Sequence, residues 1–267
     1  MSEVELPADP PVFTVYLPRS PAVPILVNLP HSGERIPQSM AAQLLPDFAQ
    51  ALPNTDWYLD RLYAFLPDLG ITMLQANYSR YCVDLNRAIQ PPLLGSFWRS
   101  VAAAETAFGQ PIYQILPSQT EVQERIERYY LPYHQQLEAL LQAKIAQFGQ
   151  VYLLDLHSFY GLITESICLG NAHGKTCSAQ LMGVVEAEFR QQGYQVVCNK
   201  VFSGGYITRH YGQLPNVEAL QIELRYTVYL NPDQLDQPMR PDWQVPEFEV
   251  AKQNLQGIFA AIVNRLC

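Results

Sequence analysis

Two apolar stretches decide the fold: VPILVNLP at residues 23–30 and VYLLDL at residues 151–156. Each stretch is short and almost free of charge, which indicates a strand buried on both faces of a sheet. A histidine follows each of them directly, His31 after the first and His157 after the second. Because ligands bind at the carboxyl ends of the strands in open α/β sheets, we expect these two histidines to share one site.

Extended and helical patterns alternate along the rest of the chain. Further strands are predicted at residues 71–75, 194–198 and 219–224, and helices at residues 57–66, 118–147, 176–192 and 249–266. Thr55 is predicted to cap the first helix. Ser118 and Glu121 form a capping-box pattern at the start of the second, which Pro132 is expected to interrupt. The alternation predicts a single α/β domain over residues 1–267, with a mixed, mostly parallel sheet and helices on both faces.

The composition excludes several classes of protein. The 267 residues include 17 Lys and Arg against 25 Asp and Glu, a formal net charge of −8, which argues against a general nucleic-acid binder. The apolar runs fall short of the ~20 residues that span a membrane. Residues 1–13 lack the basic start and apolar core of a signal peptide. The five scattered cysteines do not match a disulfide framework, so we expect a cytoplasmic protein with no membrane partner.

Familiar catalytic motifs are absent from the sequence. Gly174-Lys175-Thr176 looks like the end of a phosphate-binding loop, but Leu169 stands where the first glycine is required. The chain also lacks G-x-G-x-x-G after a strand and G-x-S-x-G, which argues against a dinucleotide cofactor and a serine nucleophile. Cys82 lies in an apolar segment and is interpreted as a buried thiol. A hydrolase that uses Cys82 as its nucleophile is kept as an alternative.

Acidic residues lie near both histidines in the sequence. Glu34 follows His31 in an H-x-x-E pattern, Asp155 precedes His157, and Asp56 stands near the start of a predicted helix. A catalytic zinc ion takes three protein ligands, commonly imidazole and carboxylate, and keeps one open position. Two histidines and one of these carboxylates satisfy that requirement for one ion. The pattern alone leaves the third ligand open.

Seven short motifs occur in order along the chain: PHSG (30–33), TDWYLDRLY (55–63), NYSRYCVDLNR (77–87), YYLPYH (129–134), DLHS (155–158), GGYITRHYG (204–212) and QIELR (221–225). The ordered set resembles the N-formylglutamate amidohydrolases, also called N-formylglutamate deformylases, over about residues 24–230. The resemblance implies a three-layer α/β fold similar to that of zinc carboxypeptidases. It also implies zinc-dependent hydrolysis of N-formyl-L-glutamate to formate and L-glutamate, a late step of one route of histidine degradation.

The resemblance assigns roles to the residues of the first motifs. It implies that His31 and His157 bind zinc. Asp56 matches the family's acidic residue and is the favoured third ligand, with Glu34 as the alternative. Glu223 matches the expected general base, which takes a proton from the attacking water and passes it to the leaving nitrogen. The alternative interpretation of Glu223 is a carboxylate at a strand end that pairs with Arg225. Asp155 is expected to orient His157 by contacting its ring without binding the metal itself.

Arginine side chains suit the capture of a small anionic N-acyl amino acid, because the guanidinium group binds carboxylates in a bidentate manner. Arg80 is expected to help stabilise the oxyanion, with His210 as the alternative donor. The resemblance places Arg80, Asn86 and Arg87 at the substrate carboxylates. We expect Arg209 or Arg225 to help Arg87 bind them, and His210 is a further candidate because it lies in the motif at residues 204–212.

Two segments depart from the family pattern. Residues 91–110 lack an expected threonine-rich stretch, and residues 159–164 lack polar residues expected after DLHS. Both are expected to line the substrate pocket. Two alternatives therefore stay open: a zinc amidohydrolase that acts on another N-acyl amino acid or amide, and a non-catalytic relative that binds a ligand in the same cleft. The oligomeric state cannot be read from the sequence.

Overall fold

The computed structural model describes residues 10–235 and 239–267. The strands within this part are β1 (Phe13–Tyr16), β2 (Ile25–Leu29), β3 (Thr72–Ala76), β4 (Leu94–Gly95), β5 (Ala102–Ala103), β6 (Val151–Phe159), β7 (Ile167–Gly170), β8 (Val196–Cys198) and β9 (Val217–Arg225). The α-helices are α1 (Gln38–Ala41), α2 (Pro46–Ala51), α3 (Leu59–Leu62), α4 (Gln119–Arg125), α5 (Leu131–Phe148), α6 (Ala179–Gln191), α7 (Tyr206–Tyr211) and α8 (Pro246–Leu266). Most of the stretch on which the signal-peptide prediction rests, residues 1–9, lies outside the described residues.

Seven strands form one sheet in the order β1-β3-β2-β6-β9-β7-β8. The four strands β3, β2, β6 and β9 are parallel neighbours, as are β7 and β8. Strand β1 pairs antiparallel with β3, and β7 pairs antiparallel with β9. Strands β4 and β5 form a separate parallel pair. The predicted mixed, mostly parallel sheet is therefore confirmed, whereas β1 and β7 had no strand predicted at their positions.

The core lies on both sides of the central strands. Every residue of β2 and β6 is buried, which requires cover on both faces of the sheet, and helices provide this cover. One hydrophobic cluster extends from β2 at Ile25 to α8 at Ile262. In the part of the chain that the structure describes, no helix is both long and apolar enough to cross a membrane. The organisation of residues 1–267 as a single domain stays a prediction.

The helix predicted over residues 118–147 is present with its interruption. The Ser118 hydroxyl accepts a hydrogen bond from Glu121 N, and the Glu121 carboxylate accepts one from Ser118 N, so the capping box is confirmed. A π-helical segment, Ile126–Tyr130, separates α4 from α5, and Pro132 lies in the first turn of α5. Proline has no backbone N–H to donate, which explains why regular hydrogen bonding breaks just before it.

Two local predictions were wrong. Thr55 does not cap a helix: its hydroxyl donates to Leu52 O at 2.8 Å, and α3 begins later, after Tyr58 in a left-handed conformation. His157 does not follow its strand but lies inside β6, which continues to Phe159. The extra length has a physical cause, because the parallel pairing of β6 with β9 continues to the last residue of both strands.

Candidate metal centre and pocket

The pairing of three parallel strands assembles the site. Asn28 of β2 pairs with Asp155 of β6, and His157 of β6 pairs with Glu223 of β9. His31 lies just beyond the carboxyl end of β2. The polar residues therefore meet along one edge of the sheet, as the position of the two histidines predicts.

A group of three buried side chains has the composition of a metal site. His31, Asp56 and His157 are each at most 3% exposed, and their potential ligand atoms all lie within 4.8 Å of one another. Asp56 Oδ2 lies 3.0 Å from His157 Nδ1 and 3.9 Å from His31 Nδ1. These distances bracket the ~3.3 Å that separates donor atoms around a tetrahedral zinc ion. The backbone N–H of Asp56 donates to His31 O at 3.1 Å, which connects the two loops.

The second nitrogen of each imidazole faces another carboxylate. His31 Nε2 lies 2.7 Å from Asp84 Oδ1, and His157 Nε2 lies 3.1 Å from Asp155 Oδ1. A proton held on each Nε2 leaves Nδ1 free to accept a metal ion, which is the usual arrangement behind metal-binding histidines. The predicted contact between Asp155 and His157 is present.

A polar network holds Asp155 in place. Asn28 Nδ2 donates to Asp155 Oδ1 at 2.7 Å, and Thr208 Oγ1 donates to Asp155 Oδ2 at 3.0 Å. The Tyr133 hydroxyl donates in turn to Asn28 Oδ1. Asp155 is fully buried, so this network fixes the direction in which it faces His157.

The two imidazoles differ in protonation in the metal-free protein, and a bound metal ion would displace a proton from His157. Burial and the positive charge of Arg80 lower the pKa of His31 to about 4, so its imidazole is neutral at neutral pH. Burial also disfavours a charged His157, but Asp155 and Asp56 outweigh it and hold the pKa of His157 well above its ordinary value. Two nitrogen donors and one carboxylate match the ligand preference of zinc. The residues present therefore fit the ion that the sequence predicts.

Glu223 lies beside this group on the neighbouring strand. It is 6% exposed, and burial raises its pKa to about 7. Gln221 Nε2 donates to Glu223 Oε1 at 2.6 Å, while Gly205 N donates to Gln221 Oε1 at 2.5 Å. Arg225 instead donates to Thr164 O at 2.7 Å. The alternative in which Glu223 pairs with Arg225 is therefore wrong.

Three of the predicted arginines line the same pocket, and two of them, Arg80 and Arg87, are anchored by groups near the metal-binding residues. Arg80 Nη2 donates to Asp84 Oδ2 at 2.7 Å, and Arg80 Nε is buried without a hydrogen-bond partner in the described part of the chain. Arg87 donates to the Asn86 and Phe97 carbonyl oxygens at 3.0 and 3.4 Å. Asn86 Nδ2 lies 3.0 Å from His157 Nε2, and Asn86 Oδ1 accepts from the backbone of α7.

Three predicted site residues lie elsewhere. Glu34 forms an ion pair of 2.5 Å with Arg240 and is not part of the metal-binding group, so the alternative third ligand is not supported by the geometry. His210 is exposed and stacks on the ring of Tyr206 with centroids 5.0 Å apart, outside the pocket lining. Arg225 also lies outside that lining. Arg209 does line the pocket and donates to its own loop, at Gly204 O and Ser203 Oγ.

Sequence reasoning missed Asp84 and Gln221. Asp84 lies between Arg80 and Arg87 in sequence, and a buried arginine needs a counterion. That charge balance is a signal that identifies Asp84. Gln221 lies two residues before Glu223 on β9, so the two-residue repeat of a strand places both side chains on the same face.

The pocket has a volume of about 780 Å³ and two distinct ends. We call the buried end the pocket base; it contains His31, Asp56, His157, Glu223, Arg80, Asn86 and Arg87. We call the solvent-facing end the pocket mouth; its exposed apolar side chains are Trp98, Phe108, Leu162 and Val201. Residues of both segments that depart from the family pattern, 91–110 and 159–164, line the pocket, as predicted.

Comparison with known proteins identifies the family. The family model described as N-formylglutamate amidohydrolase matches residues 23–230. N-formylglutamate deformylases from Pseudomonas aeruginosa and Pseudomonas putida are 35% and 32% identical, over 89% of this chain and 93% of each relative. The crystal structure of N-formylglutamate amidohydrolase from Ralstonia eutropha is similar with a TM-score of 0.80 at 27% identity, covering 95% of this chain and 98% of that one. The chain therefore belongs to the N-formylglutamate amidohydrolase family.

Proposed function

We propose that this protein hydrolyses the N-formyl amide of N-formyl-L-glutamate to formate and L-glutamate with the help of one zinc ion. One observation carries the proposal: a buried His31, Asp56 and His157 group, compatible with a metal, shares a pocket with Glu223 and with arginine side chains. The names of the curated relatives support the substrate. The cytoplasmic location and the place in histidine degradation stay predictions.

His31, Asp56 and His157 would hold the ion, with Asp84 and Asp155 orienting the two imidazoles. When bound, zinc supplies Lewis acidity, which polarises the amide carbonyl and brings the pKa of a coordinated water toward ~7. Asp56 adds negative charge to the ligand set and balances part of the charge of the ion. The donors come from separate loops and strands of a rigid sheet, so little reorganisation is needed when the ion binds.

Glu223 acts as the general base. Its carboxylate takes the proton from the attacking water and delivers it to the nitrogen of the leaving glutamate as the C–N bond breaks. Burial raises its pKa to about 7 in the metal-free protein, and a nearby cation lowers that value, which favours the ionised form that a base requires. Gln221 holds one carboxylate oxygen and leaves the other free to reach the water.

The cationic side chains bind and orient the substrate. Arg87 is half-buried at the pocket base and holds one carboxylate of the glutamate portion, with the amide of Asn86 beside it. Arg209 lines the same pocket and would bind the second carboxylate. Arg80 Nε has no hydrogen-bond partner among the residues that the structure describes and is the donor available to the oxyanion that would form at the scissile carbonyl.

Formate release from N-formyl-L-glutamate, by protein of known zinc content, tests the proposal. We expect turnover that disappears on chelation and returns when zinc is added. A zinc-bound protein that releases no formate would overturn the substrate assignment and keep the metal site. Turnover that survives complete removal of metal would overturn the metal assignment.

Sensitivity to thiol reagents separates the proposal from a thiol mechanism. Burial raises the pKa of Cys82 to about 12, so its thiol is protonated and unreactive at neutral pH. We expect activity to be insensitive to iodoacetamide. Inactivation by this reagent together with insensitivity to chelators would instead favour the thiol mechanism.

A further inference from the structure

The pocket mouth presents apolar side chains that the proposed substrate does not need. Trp98, Phe108, Leu162 and Val201 are 47%, 67%, 54% and 45% exposed although each of them lines the pocket. N-formyl-L-glutamate is a small dianion whose acyl part is a single carbon with no apolar chain. Large apolar side chains gathered at one opening are typical of a surface that binds an apolar group.

Two walls form this mouth, and each is supported by contacts with neighbouring groups. In the first wall, Trp98 Nε1 donates to Ala107 O at 3.1 Å, which holds the indole ring across the loop that carries Phe108. The Phe97 ring packs edge-on against Trp98 with centroids 5.2 Å apart, and the Arg80 guanidinium lies 4.3 Å from the Phe97 centroid on the other side. The first wall is therefore attached to the pocket base.

The second wall packs as a small cluster separate from the main core. It contains Phe159 and Phe202, whose ring centroids lie 5.1 Å apart, together with Ile163. Leu162 adopts a left-handed conformation, with φ of 56°, that leucine rarely takes. The Leu162 side chain lines the pocket and is more than half exposed, so burial in the core does not explain the unfavourable backbone conformation. Such conformations are often kept at functional sites.

The orientation of an amide substrate follows from the two ends of the pocket. The carboxylate end of an N-acyl amino acid is drawn to Arg87 at the pocket base, and the scissile carbonyl lies at the metal-binding group. The acyl group then leads away from the base toward the pocket mouth. A formyl group ends at the metal-binding group, whereas a longer acyl chain continues between Trp98 and Leu162.

We propose that the pocket mouth binds an apolar acyl chain, so that the substrates of this enzyme include N-acyl-L-glutamates with acyl groups longer than formyl. This inference rests on the proposed hydrolysis of N-formyl-L-glutamate and extends its substrate class. The reaction stays the same: the water oxygen bonds to the acyl carbon, the C–N bond breaks, the nitrogen gains a proton, and a carboxylic acid and L-glutamate leave.

A series of N-acyl-L-glutamates with formyl, acetyl, butanoyl and hexanoyl groups tests the substrate class, with release of L-glutamate as the common readout. Burial of each methylene group contributes enough free energy for about two- to fourfold tighter binding, so we expect kcat/KM to rise by that factor per carbon from acetyl to hexanoyl. The formyl compound is compared separately, because its carbonyl is less hindered and more reactive. A kcat/KM that stays constant or falls from acetyl to hexanoyl would overturn the inference.

Binding of an inert probe separates failure of this inference from failure of the proposed function. N-hexyl-L-glutamate and N-methyl-L-glutamate are amines without a scissile carbonyl, and calorimetry measures their binding without turnover. We expect the hexyl compound to bind at least about tenfold more tightly. Equal affinities would overturn the inference even if N-formyl-L-glutamate is hydrolysed. Tighter hexyl binding with no hydrolysis of any acyl-glutamate would support the apolar mouth and overturn the proposed function.

Variants locate the effect in the second wall. Leu162→Ala is expected to lower kcat/KM for the hexanoyl compound about fivefold more than for the formyl compound, because the lost methyl groups contact the chain alone. Leu116→Ala is the matched control, since Leu116 is 64% exposed and lies outside the pocket lining. An equal loss for both substrates in Leu162→Ala, or a selective loss in Leu116→Ala, would contradict the assignment.

Discussion

The pocket base and the pocket mouth are built in opposite ways. At the base, side chains come from parallel strands or lie against them, and each imidazole is held by a second carboxylate. At the mouth, side chains come from loops, face solvent and are held by a few contacts, such as that of Trp98 with Ala107 O. The sheet therefore positions the residues proposed for hydrolysis, whereas the loops form the surface proposed to select the acyl group.

The strongest test of this division removes the proposed proton acceptor, Glu223, from the pocket base. Glu223→Gln keeps the shape and the contact with Gln221 but cannot accept a proton. We expect kcat to fall by about 10²–10⁴-fold while zinc content is unchanged, measured by formate release and metal analysis on the same samples. Turnover close to that of the unmodified protein would refute the role of Glu223.

A second test changes a carboxylate that contacts one of the metal-binding histidines. Asp84→Asn weakens the hydrogen bond that fixes His31 and removes the counterion of Arg80. We expect zinc affinity to fall about 10- to 100-fold in competition with a chromogenic chelator. Asp68→Asn is the control, because Asp68 is an exposed carboxylate paired with Arg19. Unchanged affinity in Asp84→Asn would show that the sheet alone positions His31.

A third test asks which cationic side chains contact the substrate. Arg87→Ala removes a charged partner of the substrate carboxylate, so we expect KM for N-formyl-L-glutamate to rise about tenfold. His210→Ala is the paired comparison, because His210 lies outside the pocket lining, where it stacks on Tyr206. The KM of this variant is expected to stay within about twofold of that of the unmodified protein. The opposite ranking would restore His210 as a substrate-binding residue.

The smallest expected effect concerns the stability of the mouth. Leu162→Gly relieves an unfavourable backbone conformation but adds the flexibility of glycine to the unfolded chain. We expect the free energy of unfolding to change by no more than about 1 kcal/mol, in the stabilising direction, as followed by thermal denaturation. A clear destabilisation would show that the Leu162 side chain supports the fold rather than the ligand.

The pocket base was predictable where a residue followed a strong local pattern. His31 and His157 follow apolar runs that can only be buried strands, and parallel strands bring their ends together. The capping box at Ser118 is local in the same way. Strand β7 escaped prediction because its antiparallel place beside β9 depends on the whole sheet.

Contacts between residues far apart in sequence depend on tertiary structure and were not predictable. Asp84 faces His31 across 53 positions of sequence, and nothing near either residue specifies that contact. Glu34 lies close to His31 in sequence but pairs with Arg240, 206 positions away. Arg225 and His210 belong to motifs that match the family, yet a motif does not state which way each of its side chains points.

The pairing of β6 with β9 also has a consequence for folding. Side chains alternate between the two faces of a strand, so a shift of one residue would turn Glu223 to the opposite face and bring Ile222 or Leu224 beside His157. The shifted sheet would bury Glu223 and Gln221 together on the opposite face and leave charged His157 against an apolar neighbour, at a large cost in free energy. The residues proposed to perform hydrolysis thus also favour the correct register of β6 and β9 over shifted registers during folding.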